Sequence, residues 1–192
     1  MNRLFRSKGT SFFTVGGQSR NSSSQSSEAM RKVWAGVEKM GLNTLAVPVY
    51  WSFLEPEEGR FDYTQTDMLL DEARSRGIKL ILLWFGTWKN GASQYVPEWV
   101  KLQKKRFVWA ESIQGNLTRT LSPCCRETLE ADKKAFCSLL EHLKIKGAED
   151  ILLGIQVENE PGLLGTPRDY SDTGEKAFSS FVPEKMSAWL AR

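Results

Sequence analysis

One short acidic cluster, Glu158-Asn159-Glu160, stands directly behind an apolar run, Ile151 to Val157 (ILLGIQV). A carboxyl group at the end of a buried strand is costly to ionise unless it is hydrogen-bonded. Such burial raises its pKa towards that of a general acid at neutral pH. Cleavage of a glycosidic bond needs such an acid, and in the retaining reaction a second carboxylate sits ~5 to 5.5 Å away as nucleophile. Glu158 and Glu160 are the carboxyls that could serve as that acid, and Asn159 supplies an amide for a hydroxyl beside the reacting carbon. Strand alternation puts Glu158 and Gln156 on one side and Val157 on the other, which a hydrogen-bonding role in a barrel interior explains, and Glu158 is also a candidate substrate contact.

Three other apolar runs are followed by polar or aromatic residues of the same character. Gln18 and Arg20 follow the first, Tyr50, Trp51 and Glu55 the second, and Trp88, Lys89 and Asn90 the third. Indoles, amides and carboxyls converging on one rim would suit a sugar, whose apolar face packs on aromatic rings while its hydroxyls take amides and acids. Tyr50, Trp88, Lys89, Asn90, Gln18, Asn159 and Glu158 are therefore the candidate substrate contacts. Trp51 reads as packing beneath the site.

The elements that must position these residues follow from periodicity. Strands are expected over Ser11–Gln18, Thr44–Val49, Lys79–Phe85 and Ile151–Val157, the first as a buried strand. Pro48 is placed near its strand's end, since proline removes a ladder donor. Met30, Val33, Trp34, Val37 and Met40 recur at helical spacing, with Ser22 (paired with Gln25) or Ser27 as N-cap and Gly41 as the left-handed terminator. A second helix opens at Asp67 and ends at Gly77, after a loop over Trp51–Asp62. A third runs from Arg126 to about Lys146, with Leu129, Phe136, Leu139 and Leu143 on its apolar side. Gly86–Pro123 reads as a long loop, and Glu175–Arg192 as a helix in two pieces divided at Pro183. Alternating strands and helices imply an α/β fold with parallel strands, either a doubly wound sheet or part of a (β/α)8 barrel. No glycine-rich phosphate turn follows the first strand.

The 192 residues, 41% hydrophobic and 26% charged with net charge +3, have the make-up of an ordinary globular chain. Neither sign of charge forms a long block, so no nucleic-acid partner is expected, and no apolar run approaches the ~20 residues of a membrane span. The opening MNRLFRSKGTSFF has no signal-like apolar core, which favours the cytoplasm. Cys124, Cys125 and Cys137 lack metal or redox spacing, and the lone His142 reads as a surface residue, so no metal or cofactor is expected.

Longer strings carry a resemblance. IQVENEPG (Ile155 to Gly162) resembles the acid/base motif of retaining β-galactosidases of glycoside hydrolase family 35 and, more loosely, family 42. YWSFLEPEEGRFDY (Tyr50 to Tyr63), FFTVGGQSRNSS (Phe12 to Ser23) and LWFGTWKNG (Leu83 to Gly91) are similar to the same enzymes, so the likeness covers nearly the whole chain. It implies that residues 1–192 are the first half, (β/α)4, of a TIM (β/α)8 barrel. It also implies a β-galactoside or related oligosaccharide as substrate, Glu160 as acid/base, and a nucleophile after a seventh strand that these residues do not contain. Isolated, such a half-barrel is expected to be inactive, or to bind sugar without turnover as a homo-oligomer closed through its open strand edges. Departures bear on the sugar: Arg20 and Leu54 stand where histidine is usual, and WKNG replaces Cys-Ala-Glu-Trp.

Overall fold

The computed structural model describes residues 6–7 and 9–191, so part of the opening segment and Arg192 lie outside the described residues. Strands β1 (Gly16–Gln18), β2 (Thr44–Tyr50), β3 (Lys79–Lys89) and β4 (Leu152–Asn159) form one sheet in that order, and every pairing is parallel. Helices α1 (Ser27–Lys39), α2 (Thr64–Arg76) and α3 (Arg126–Ile145) lie in the three crossovers, and α4 (Asp172–Phe178) and α5 (Glu184–Leu190) follow β4. Four successive βα units with parallel strands are the repeating architecture of a (β/α) barrel.

Alternation on β3 builds the core. Leu80, Leu82 and Trp84 face the helices and join Met30, Trp34, Leu69, Leu70, Ala135 and Leu139. On the other face, Leu83 and Phe85 meet Tyr50 and Tyr95. Pro48 lies within β2, yet costs no ladder bond. In a parallel strand a residue's N–H and C=O point to the same neighbour. Ala46 bonds Ser19 on the β1 side, and β1 ends before it reaches Pro48, whose carbonyl accepts from the Ser24 hydroxyl instead.

Several elements differ from expectation. Only Gly16–Gln18 of the first expected strand is in the sheet. Thr10–Ser11 pairs with Arg6–Ser7 in a small antiparallel ribbon, and Phe13 and Val15 are exposed. The Asn43 side chain explains this, because it takes the Phe13 carbonyl and the Val15 amide that a longer strand would have offered a neighbour. The cap of α1 is Ser26, accepting from the Ala29 amide, rather than Ser22 or Ser27. Helix α2 starts at Thr64, ahead of Asp67, because Asp62 accepts the Thr64 amide and so stops the loop sooner. It ends at left-handed Gly77 as expected.

Trp51–Leu54 forms a helical turn at the head of the expected loop. The long Gly86–Pro123 segment contains the end of β3, the helix Glu98–Leu102 and a hairpin of Trp109–Glu111 with Leu117–Leu121. On α3 the inward stripe is Thr128, Asp132, Ala135, Leu139 and Leu143, while Leu129 is 59% exposed. His142 is not a surface residue. Its side chain is 12% exposed, bonds Asp67 at 2.7 Å and stacks on Tyr63 at 3.8 Å.

Leu82 is fully buried between sheet and helices. Leu82→Ala is expected to cost about 2–5 kcal/mol through the cavity it leaves. Denaturant unfolding checks this, and an unchanged midpoint would contradict the assignment of this face to the core.

Candidate active site

The site begins with the extra length of β3. It pairs with β2 as far as Tyr50↔Phe85 and with β4 as far as Trp84↔Val157, and the ladder resumes only at Lys89↔Asn159. Phe85 to Trp88 thus stand opposite Glu158 alone. The backbone absorbs the mismatch by turning left-handed at Glu158 (φ 62°), Glu160 (φ 52°) and Asn90 (φ 52°). Such positions are uncommon outside glycine and cost of order 1–3 kcal/mol each unless the surroundings enforce them.

Alternation therefore fails at Glu158, and the expectation that it shares a side with Gln156 is corrected. Its carboxyl turns to the helix side, where the Thr87 amide reaches Oε1 at 3.0 Å and the Trp88 amide reaches Oε2 at 2.7 Å. Beside it lies Asp132 of α3, which is 8% exposed. Asp132 Oδ1 accepts from Trp84 Nε1 at 2.8 Å, and Oδ2 accepts from both the Thr87 amide, at 2.7 Å, and the Thr87 hydroxyl. Burial first, and then the Asp132 carboxyl, push the Glu158 pKa far above the carboxylate range, against the pull of the two amides. The raised pKa expected of a strand-end carboxyl is found at Glu158. Glu160 is exposed on the rim.

Lys89 is 7% exposed, and its ammonium donates to Oδ1 of both Asn90 and Asn159 and lies 4.9 Å from the Phe85 ring centroid. Burial lowers its pKa, and the Glu160 charge acts against that shift. The backbone ties the same residues together: the Asn90 amide bonds the Asn159 carbonyl, and the Gly91 amide bonds that of Glu160. Because the Asn159 side-chain oxygen is committed to Lys89, its NH₂ is the part left to donate to a ligand oxygen.

Of the expected contacts, the structure brings Lys89, Asn90, Asn159 and Glu160 together at the carboxyl ends of β3 and β4. Trp88 is half-buried, over a hollow of about 330 Å³ on the helix side that Asp132 and Glu158 also line. Gln18 lies across the sheet, in a larger hollow of about 860 Å³ between β1 and α1, away from these carboxyls. The site is placed at the rim despite this larger hollow, because only the rim joins carboxyl, ammonium and amides at strand ends. Tyr50 is fully buried. Its hydroxyl accepts from Ser24 and donates to the Asn21 carbonyl, and its ring stacks on Tyr95, so its contacts here are with the protein. Trp51 is buried, with its indole N–H on Glu55. Among the described residues, no group of three His, Cys, Asp or Glu side chains is gathered as a metal site requires, and no helix is long and apolar enough to cross a membrane.

Asp132 and Thr87 escaped the sequence reading. The available signal was a charged residue at an inward position of α3, spaced with Thr128, Ala135 and Leu139.

Residues 21–191 match the sequence model of glycoside hydrolase family 42, described as β-galactosidase, and the chain belongs to this family. Family 42 is the looser of the two likenesses read from the sequence. The chain is 25% identical over 155 residues to the β-galactosidase BbgII of Bifidobacterium bifidum, covering 78% of this chain and 21% of that protein. It is 32% identical over 90 residues to an exo-β-D-glucosaminidase of Pyrococcus horikoshii, covering 41% and 11%. The chain therefore spans about a fifth or less of the length of these relatives. Among solved structures, a β-galactosidase from Bacillus circulans sp. alkalophilus superposes with TM-score 0.66 at 19% identity, over 83% of this chain and 22% of that one. An exo-β-1,4-mannosidase from an Opitutaceae bacterium gives TM-score 0.59 at 22% identity, over 82% and 27%. These two bear on the fold alone, that of a partial (β/α) barrel.

Two outcomes follow from this geometry. A Cβ on Gly86 would lie 2.4 Å from Trp84 Nε1 and 2.6 Å from both Asp132 oxygens. Gly86→Ala is therefore expected to destabilise by about 1–3 kcal/mol. A thermal unfolding midpoint equal to the wild type would contradict that packing. Tyr50 has its pKa raised to about 12, chiefly by burial. The stability this confers is complete below pH 10, the unfolded value, and is lost as pH rises towards 12, at about 1.4 kcal/mol per unit. Tyr50→Phe is expected to cost about 1–3 kcal/mol at neutral pH, since the Asn21 carbonyl loses its donor. That gap should close between pH 10 and 12 in equilibrium unfolding, and a gap that stays constant would contradict it.

Proposed function

We propose that this chain carries the acid/base half of a retaining β-galactosidase acting on terminal β-D-galactosides. The supporting observation is the placement of Asn159 and Glu160 beside Lys89 at the strand ends of a family 42 chain. Glu160 protonates the departing glycosidic oxygen and then takes a proton from the water that releases the sugar. The Asn159 NH₂ holds a hydroxyl next to the reacting carbon, and Asn90 lines the approach. The nucleophile belongs to a later strand, so these 192 residues alone turn over no substrate. A second reading keeps the reaction and changes the sugar. It draws on the glucosaminidase relative.

The test uses the longest reading frame that encodes this chain, with aryl and alkyl β-galactosides compared. Glu160→Ala should lower turnover of alkyl galactosides by about 10²–10⁴-fold, the usual worth of a general acid. Galactosides with an acidic phenol as leaving group need little protonation and should lose much less in the bond-breaking step. Equal losses on both substrates, or none, would overturn the role of Glu160. Preference for a sugar other than galactose would overturn the specificity.

A further inference from the structure

The turn that carries Asn159 and Glu160 is strained at both flanking glutamates, and something must hold it. We infer that Glu158 is a positioning residue that, together with Asp132, locks this turn to the end of β3. The inference rests on the acid/base reading of Glu160 and moves Glu158 from sugar contact to support.

The hydrogen-bond pattern says how the lock works. The Thr87 amide lies between Asp132 Oδ2, at 2.7 Å, and Glu158 Oε1, at 3.0 Å, so it belongs chiefly to Asp132. The Trp88 amide belongs to Glu158 Oε2 at 2.7 Å. Oε1 is thus the oxygen facing the Asp132 carboxyl, and two carboxylates at hydrogen-bonding distance are tolerable only with a proton between them. With that proton on Oε1, Glu158 donates to Asp132 while Oε2 accepts from Trp88, and every polar atom of the cluster is satisfied. The chain of contacts runs from α3 through Asp132 and Glu158 to the turn, and through Thr87 and Trp88 to Lys89. Each is a point at which the rim is fixed from behind.

The prediction concerns which substitution is tolerated. Glutamine reproduces protonated Glu158, since its NH₂ donates to Asp132 and its carbonyl accepts from Trp88; alanine does neither. Two readouts separate the possibilities. Amide hydrogen exchange on the 192-residue chain reports the lock directly. Trp88 should lose protection in Glu158→Ala and regain it in Glu158→Gln, while Thr87, whose amide belongs chiefly to Asp132, should lose it in Asp132→Ala. Kinetics of the longest reading frame report positioning: Glu158→Ala should lower kcat by about 10²-fold with KM little changed, because misplacement by about 1 Å has that effect. Glu158→Gln should recover most of it. Glu158→Gln as damaging as Glu158→Ala in both readouts, or a large rise in KM for either, would overturn the inference. If the wild type turns over no glycoside, the functional reading fails and the exchange pattern alone decides the lock.

Discussion

The rim depends on a mismatch of lengths between two parallel strands. β3 pairs through Phe85 on one side and Trp84 on the other, and then continues to Lys89 while β4 supplies only Glu158 before the ladder closes again at Asn159. A regular ladder would have alternated sides and left Glu158, Asn159 and Glu160 as an ordinary strand end. The excess of β3 instead forces left-handed backbone at Glu158 and Glu160, brings a buried carboxyl to the helix side and presents the next two residues upward. Strain at a turn of this kind persists only where partners over-determine it. Thr87, Trp88, Asp132, Lys89 and Asn90 are those partners.

The two faces of β3 then do different work. The face towards the helices is apolar as far as Trp84, whose indole N–H ends that stack on Asp132. Gly86 follows because a side chain there would strike both groups. The inner face runs through Leu83 and Phe85 to Lys89, whose ammonium rests near the Phe85 ring and is shared by two asparagine amides. A carboxyl cluster behind the turn and an ammonium in front of it give Asn159 a fixed amide orientation. That fixed orientation is what recognition of a sugar hydroxyl requires.

Much of this was visible in the sequence, for reasons particular residues make plain. The helical spacing of Met30, Trp34 and Val37, the apolar run of β3 and left-handed Gly77 report local preferences that tertiary contacts left intact. The string around Glu160 marks its own position. What the sequence did not disclose depends on contacts across the chain. The Asn43 side chain delays the start of β1, Ser24 and the Asn21 carbonyl enclose Tyr50, and Asp132 meets Glu158 only once α3 packs over β3. Alternation gave the wrong side for Glu158, because a period of two cannot anticipate a register shift.

The central claim is that the Asn159-Glu160 turn receives the sugar. A crystal structure of the protein with a non-hydrolysable β-thiogalactoside tests it most directly. The account predicts the glycosidic sulfur within hydrogen-bonding reach of the Glu160 carboxyl, a ring hydroxyl on the Asn159 NH₂, and no sugar atom on Glu158. A galactoside seated instead in the hollow between β1 and α1, or touching Glu158 while Glu160 faces solvent, would contradict it.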